Sequence, residues 1–294
     1  MRDQAEKLRQ IVKDLRRQRA EDEKRTAKVI AITSGKGGVG KTSFTINFAI
    51  CLGNMGYRVI IIDGDIGLSN VDLMLGITPK YDLSYFIYNL KELNEIAVDG
   101  PSGIRFISGG SGLRELTDLS GWKIDQLLSR VKKLDEEADI ILIDTGAGIS
   151  DNVMKMILAA DETILIVTPE PTSIMDAYAL VKLASSQNEN IRFRLVVNKA
   201  ENILEAKRIL DKFSNAVKRF LNIELDKLGY ICDDVYVSRS IKQQTPYIIC
   251  YPKSNASRQV QVIADKFSKF PDEKFMYRNG GLATYIERLI NIFK

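Results

Sequence analysis

Residues 34–43 read Ser-Gly-Lys-Gly-Gly-Val-Gly-Lys-Thr-Ser, between the β-branched run Val29–Thr33 and the helical pattern of Lys41–Met55. Gly35, Gly40, Lys41 and Thr42 satisfy the phosphate-loop pattern G-x-x-x-x-G-K-[ST], in the strand–turn–helix context that gives the pattern meaning. Glycines let successive backbone N–H groups turn inward around phosphate oxygens. The start of the following helix adds partial positive charge. The expected nucleotide contacts are Gly35, Gly37, Gly38, Val39, Gly40, Lys41, Thr42 and Ser43, with Lys41 on the β/γ-phosphates and Thr42 on Mg²⁺.

The rest of the chain repeats this alternation. Strands are expected at Val29–Thr33, Val59–Ile62, Ile104–Ile107, Ile140–Ile143, Thr163–Val167, Phe193–Val197 and Lys227–Ile231. Several are unbroken apolar runs, as in parallel strands covered on both faces. Helical stretches lie between them, for example Trp122–Glu137, Ser173–Ser185 and Ile203–Arg219. The expected fold is α/β, a doubly wound, mostly parallel sheet with helices on both faces and short helical extensions at each terminus.

Composition excludes several chemistries. The chain has no histidine and only three cysteines, Cys51, Cys232 and Cys250. That argues against a zinc site, a histidine-activated nucleophile or a disulfide framework. Phosphoryl transfer needs none of them, because positioning and electrostatics carry it. A net charge of +4 over 294 residues is thin support for a nucleic-acid surface. No apolar run approaches the roughly 18 residues that span a bilayer.

Lys36 is surplus to a single phosphate loop. The run Lys36-Gly-Gly-Val-Gly-Lys-Thr42 resembles the deviant Walker A motif of the MinD/ParA ATPase family. The resemblance implies that Lys36 reaches the nucleotide of a second copy, so that ATP drives a homodimer. Two further stretches agree. Asp63-Gly-Asp65-Ile-Gly-Leu-Ser-Asn70 is similar to the family's switch I, which assigns Asp65 to orienting the attacking water and Asp63 to the Mg²⁺ shell. Asp144-Thr-Gly-Ala-Gly148 ends an apolar strand and reads as Walker B and switch II, with Asp144 on Mg²⁺ through water. The same resemblance implies an adenine contact at Asn198, Cys232 and Asp233 on the far side of the purine, and Glu170 and Asp176 near the dimer interface. Glu201 stands where GTP-specific folds carry Asp, which favours ATP.

Both ends carry additional expectations. Leu282–Lys294 sorts Ile286, Leu289, Ile290 and Phe293 onto one apolar helical half. Gly280-Gly281 ahead of it reads as a hinge, and family members resembling MinD end in a membrane-targeting helix. A helix docked on the core is the plain alternative. Residues 1–25 hold nine Lys or Arg and six Asp or Glu, with an apolar stripe at Ala5, Leu8, Val12 and Leu15. Asp3-Gln-Ala-Glu-Lys-Leu-Arg9 resembles the activator motif of the FlhG (YlxH, FleN) regulators of flagellar number and placement. That implies stimulation of the signal-recognition-type GTPase FlhF through Gln4, while Leu8 and Arg9 are candidates for contact with a partner or with lipid. Flagellar basal-body switch proteins and an anionic membrane surface are the other implied partners. The implied location is cytoplasmic, and peripheral on the inner face of the membrane when ATP is bound. The expected division is 1–25 activator segment, 26–270 ATPase domain and 271–294 hinge and helix. The competing readings are a cell-division MinD and a ParA-like DNA-partitioning ATPase. An electron-transfer ATPase is discarded, since neither switch carries a cysteine.

Overall fold

The computed structural model describes residues 26–65, 70–110, 112, 122–135, 137–269 and 280–293. Eight strands form one sheet: β1 (Lys28–Thr33), β2 (Val59–Gly64), β3 (Val98–Asp99), β4 (Arg105–Ile107), β5 (Ile140–Thr145), β6 (Glu162–Val167), β7 (Phe193–Ala200) and β8 (Asp226–Cys232). Their order is β3-β4-β2-β5-β1-β6-β7-β8. All neighbours run parallel except β3, a two-residue edge strand antiparallel to β4. The seven strands read from the sequence are all present, and β3 is the addition.

Alternate residues of each strand serve opposite faces. Ile30, Ile32, Ile61, Leu142 and Ile164 join one apolar cluster. It is covered by α1 (Lys41–Asn54), α2 (Asn70–Leu75) and α11 (Asn255–Lys269). Val29, Ile60, Ile62, Ile141 and Ile143 join a second cluster on the other face. That face carries α3 (Leu83–Ile87), α4 (Leu93–Ile96), α5 (Trp122–Asp135) and α6 (Asp151–Ala159). Toward β7 it is continued by α7 (Pro171–Gln187) and α8 (Ile203–Leu221). Two short helices, α9 (Val235–Lys242) and α10 (Tyr247–Cys250), follow β8. The central strand β1 lies between β5 and β6, so the order in which strands are added reverses at it and leaves a crevice at its carboxyl end.

The C-terminal helix α12 (Leu282–Phe293) takes the docked form that stood as the alternative to a lipid-facing one. Ile286, Leu289 and Ile290 are buried, together with Leu282 and Tyr285, in the cluster formed by α5, α6 and the start of β1. The periodicity was read correctly, but the protein's own apolar surface is what covers it. Asp135 at the end of α5 accepts the backbone N–H groups of Leu282 and Ala283 and so caps the helix. Gly281 supplies the turn, with φ of 101° and no room for a side chain against Asp135. The Phe293 side chain and the activator residues Gln4, Leu8 and Arg9 lie outside the described residues. Among the described residues, no helix is long and apolar enough to cross a membrane.

Candidate nucleotide site

β1 feeds Ser34 into the loop, and α1 begins at Lys41. Gly38 and Gly40 take φ of 77° and 89°, a region where side chains are strained. Gly40 precedes the first turn of α1, and no side chain caps that turn. Its N–H groups are therefore available to an anion, with the positive end of the helix behind them. The loop from Lys36 to Ser43 lines a cavity of about 870 Å³, ample for a nucleotide.

Beneath the loop, the end of β5 places Asp144 with no solvent exposure. Its carboxylate accepts from Lys41 Nζ at 3.0 Å, Thr42 Oγ1 at 2.6 Å and Thr45 Oγ1 at 3.0 Å. One ammonium and two hydroxyls thus compensate the buried charge. Thr45 was not read as a site residue, because its signal is only a threonine one turn inside a helix. The Thr42 hydroxyl gives its proton to Asp144 and keeps its lone pairs. Oxygen donors of this kind suit a hard divalent cation, so the residues present fit Mg²⁺ held by Thr42, phosphate oxygens and water, with Asp144 behind them. Among the described residues, no three His, Cys, Asp or Glu side chains cluster to hold a metal by themselves.

Asp63 stands beside Asp144 on the neighbouring strand. Its two oxygens accept the backbone N–H groups of Asp65 (3.0 Å) and Val71 (3.3 Å), so it shapes the segment after β2. Asp65 also lines the cavity, and its carboxylate lies against Gly146, where an added Cβ would meet Oδ1 at 3.4 Å. Gly148 N donates to Ser34 O at 2.9 Å, which joins the Walker B turn to the phosphate loop.

The purine side is built by β7 and β8. Asn198 Nδ2 donates to Val39 O at 2.7 Å. That leaves Oδ1 as an acceptor and the second Nδ2 hydrogen as a donor, a pair that can meet the exocyclic amino group and N7 of adenine. Lys199 adopts the left-handed conformation (φ 57°) and donates to Gly38 O at 2.7 Å. Two successive residues thus brace the loop from one strand end. Cys232 and Asp233 line the same cavity. Gln259 holds the Cys232 backbone N–H at 2.8 Å and also donates to its Sγ. Lys199 and Gln259 were missed because each acts through a partner distant in sequence.

On the rim, Lys36 Nζ meets Glu170 Oε2 at 2.6 Å and Thr172 Oγ1 at 3.1 Å. The hydrogen bond from Lys36 and its charge hold the Glu170 carboxyl below its ordinary range. Asp176, exposed on α7, abuts the loop through its backbone: a side chain at Gly35 would collide with the main chain of Asp176 and Ala177.

A family model described as ParA, NUBPL iron-transfer P-loop NTPase, matches residues 25–268. The antiactivator FleN of Pseudomonas aeruginosa is 37% identical over 262 residues, covering 89% of this chain and 93% of FleN. The flagellum site-determining protein YlxH of Helicobacter pylori is 32% identical over 272 residues, covering 92% of each. Among solved structures, the cell-division protein MinD of Aquifex aeolicus superposes with a TM-score of 0.67 at 24% identity, over 83% of this chain and 97% of MinD.

Proposed function

The chain belongs to the MinD/ParA family of P-loop ATPases, alongside FleN and YlxH, and from that membership we propose that it is an ATP-switched regulator of flagellar number and placement. ATP and Mg²⁺ occupy the site built on Lys41, Thr42 and Asp144, with Asp63 supporting the Mg²⁺ shell. Two ATP-bound copies pair face to face, and Asp65 orients the attacking water. The observation that carries the reading is Lys36. It sits on the loop's rim, engaged with Glu170 and Thr172, while Lys41 lies inside against Asp144. A second lysine on the rim fits a cation supplied to a partner's nucleotide.

The dimer binds an anionic membrane through α12. Because the apolar face of that helix is docked, binding lipid requires it to leave its seat. Two released helices on one dimer act bivalently and hold far more tightly than one. Residues 1–25 stimulate FlhF through Gln4, and basal-body switch proteins are the further clients. The FlhF GTPase rate tests this: the full chain should raise it and Gln4→Ala should abolish the rise. An active, dimeric FlhF indifferent to the wild-type chain would sink the flagellar reading and leave an ATPase of other purpose.

A further inference from the structure

We propose that Lys199 is a positioning residue for ATP: from a bulge at the end of β7 it fixes the plane of the Gly38–Val39 peptide, and with it the Val39 N–H that meets phosphate. The inference rests on the nucleotide reading above. In a regular strand, successive side chains leave on opposite faces. Asn198 and Lys199 do not part in that way. β7 pairs with β8 at Val197 and Tyr230 and again at Ala200 and Cys232, so Asn198 and Lys199 together stand against Ile231 alone. One extra residue of this kind bends a strand and re-aims its side chains. Lys199 takes up the bend at φ 57°, where any residue with a side chain is strained. Glycine would make the same turn freely, so a lysine there is placed for its reach. Asn198 Nδ2 donates to Val39 O and Lys199 Nζ to Gly38 O, each at 2.7 Å. Both side chains run alongside the loop: a Cβ on Gly40 would meet Asn198 Nδ2 at 2.5 Å and Lys199 Cε at 3.9 Å.

A trans peptide is planar, with its C=O and N–H on opposite sides. Holding Gly38 O therefore fixes the direction of the Val39 N–H, and holding Val39 O fixes that of Gly40. Gly38, at φ 77°, has no side chain of its own to restrain the plane. N–H groups set in advance stabilise charge on a transferring phosphoryl group without reorganising. The Lys199 ammonium also faces Glu170. Behind the hydrogen bond and charge of Lys36, its charge helps hold that carboxyl below the ordinary range. With a carbonyl and a carboxylate on the protein to satisfy it, Lys199 acts on the phosphates through the loop.

Lys199→Met keeps the stem and removes the ammonium; Lys199→Arg restores a cation. Amide exchange at Val39 and Gly40, read by NMR on the full chain with saturating ADP, reports the loop, and steady-state phosphate release from ATP reports turnover. In Lys199→Met the Val39 amide should exchange about tenfold faster and kcat should fall about tenfold, the scale of one lost charge-assisted hydrogen bond. The Gly40 amide, held through Asn198, should stay protected, whereas general loosening would release both. Lys199→Arg should recover most of each effect. Lys199 is exposed, so the melting temperature should remain that of wild type. Unchanged Val39 exchange in Lys199→Met, release of Val39 and Gly40 together, or no recovery with arginine overturns the proposal. Lost turnover with unchanged exchange also overturns it, since Lys199 would then touch the phosphates itself. A wild-type chain whose loop ADP leaves unprotected removes the nucleotide reading and this inference with it; a protected wild type with an equally protected Lys199→Met removes this inference alone.

Discussion

Lys36 and Glu170, 134 positions apart in sequence, meet at 2.6 Å on the rim of the phosphate loop. Both side chains are substantially exposed, and exposed ion pairs contribute little to stability. The pair can therefore part when a stronger anion arrives, and in the proposed dimer a partner's phosphates would be such an anion. Lys36→Ala should bind ATP with near wild-type affinity and fail to dimerise. Fluorescent-nucleotide titration beside light scattering separates the two effects; a dimer that still forms would remove Lys36 from the interface.

Lys41 has a different role, because it compensates a buried carboxylate. Lys41→Ala removes the phosphate contact and leaves Asp144 buried without its ammonium. Breaking a buried pair typically costs about 3–5 kcal/mol. The nucleotide-free variant should therefore melt well below wild type and bind no ATP. A normal melting temperature without nucleotide would mean that Thr42 and Thr45 suffice.

Gly35→Ala probes packing alone. The added methyl group has no space against the main chain of Asp176 and Ala177, and neither backbone segment is a flexible tip that can turn away. A loss of about 1–3 kcal/mol in stability and at least a tenfold weakening of ATP binding are expected. Urea unfolding and nucleotide titration measure the two; wild-type values would show that α7 yields.

Asp65→Asn keeps the shape of the side chain and removes the charge available to orient water. ATP binding should persist, while turnover falls by about 10²–10⁴-fold, the usual worth of such a group. Phosphate release under saturating ATP reports it. Unchanged turnover would reassign the water to another residue.

The thiols report where the base sits. Burial pushes Cys51 up to about 12, with the charge of Asp265 adding to the effect. The thiolate is the reactive form, so a raised value keeps Cys51 protonated and inert throughout the neutral range. Only as pH climbs toward that value does reactivity appear. At neutral pH a maleimide should label Cys232 first, and saturating ATP should protect it because Cys232 lines the nucleotide cavity. Labelling of Cys232 that is indifferent to ATP would move the purine elsewhere.

Much of the candidate site is legible in the sequence. The phosphate loop, Asp63, Asp65 and Asp144 sit at strand ends, and each strand is a short apolar run whose hydrophobicity marks it. Asn198 was placed by its strand as well, but the direction of its amide depends on Val39 O, which lies across the fold. Thr172 and Gln259 were invisible for the same reason, since their partners lie far away in sequence. The C-terminal helix shows the limit most clearly. An apolar stripe records that a face is to be covered and not what covers it, so Ile286, Leu289 and Ile290 read alike for lipid and for α5 and α6.

Flotation of the full chain on phosphatidylglycerol-containing vesicles, with ATP and with ADP, is the most direct test of the switch. If ATP holds the dimer and frees both α12 helices, as proposed, the chain should rise with the vesicles in ATP and stay behind in ADP. Equal binding in the two nucleotides would contradict it, because the helix would then engage lipid without reference to the phosphate site.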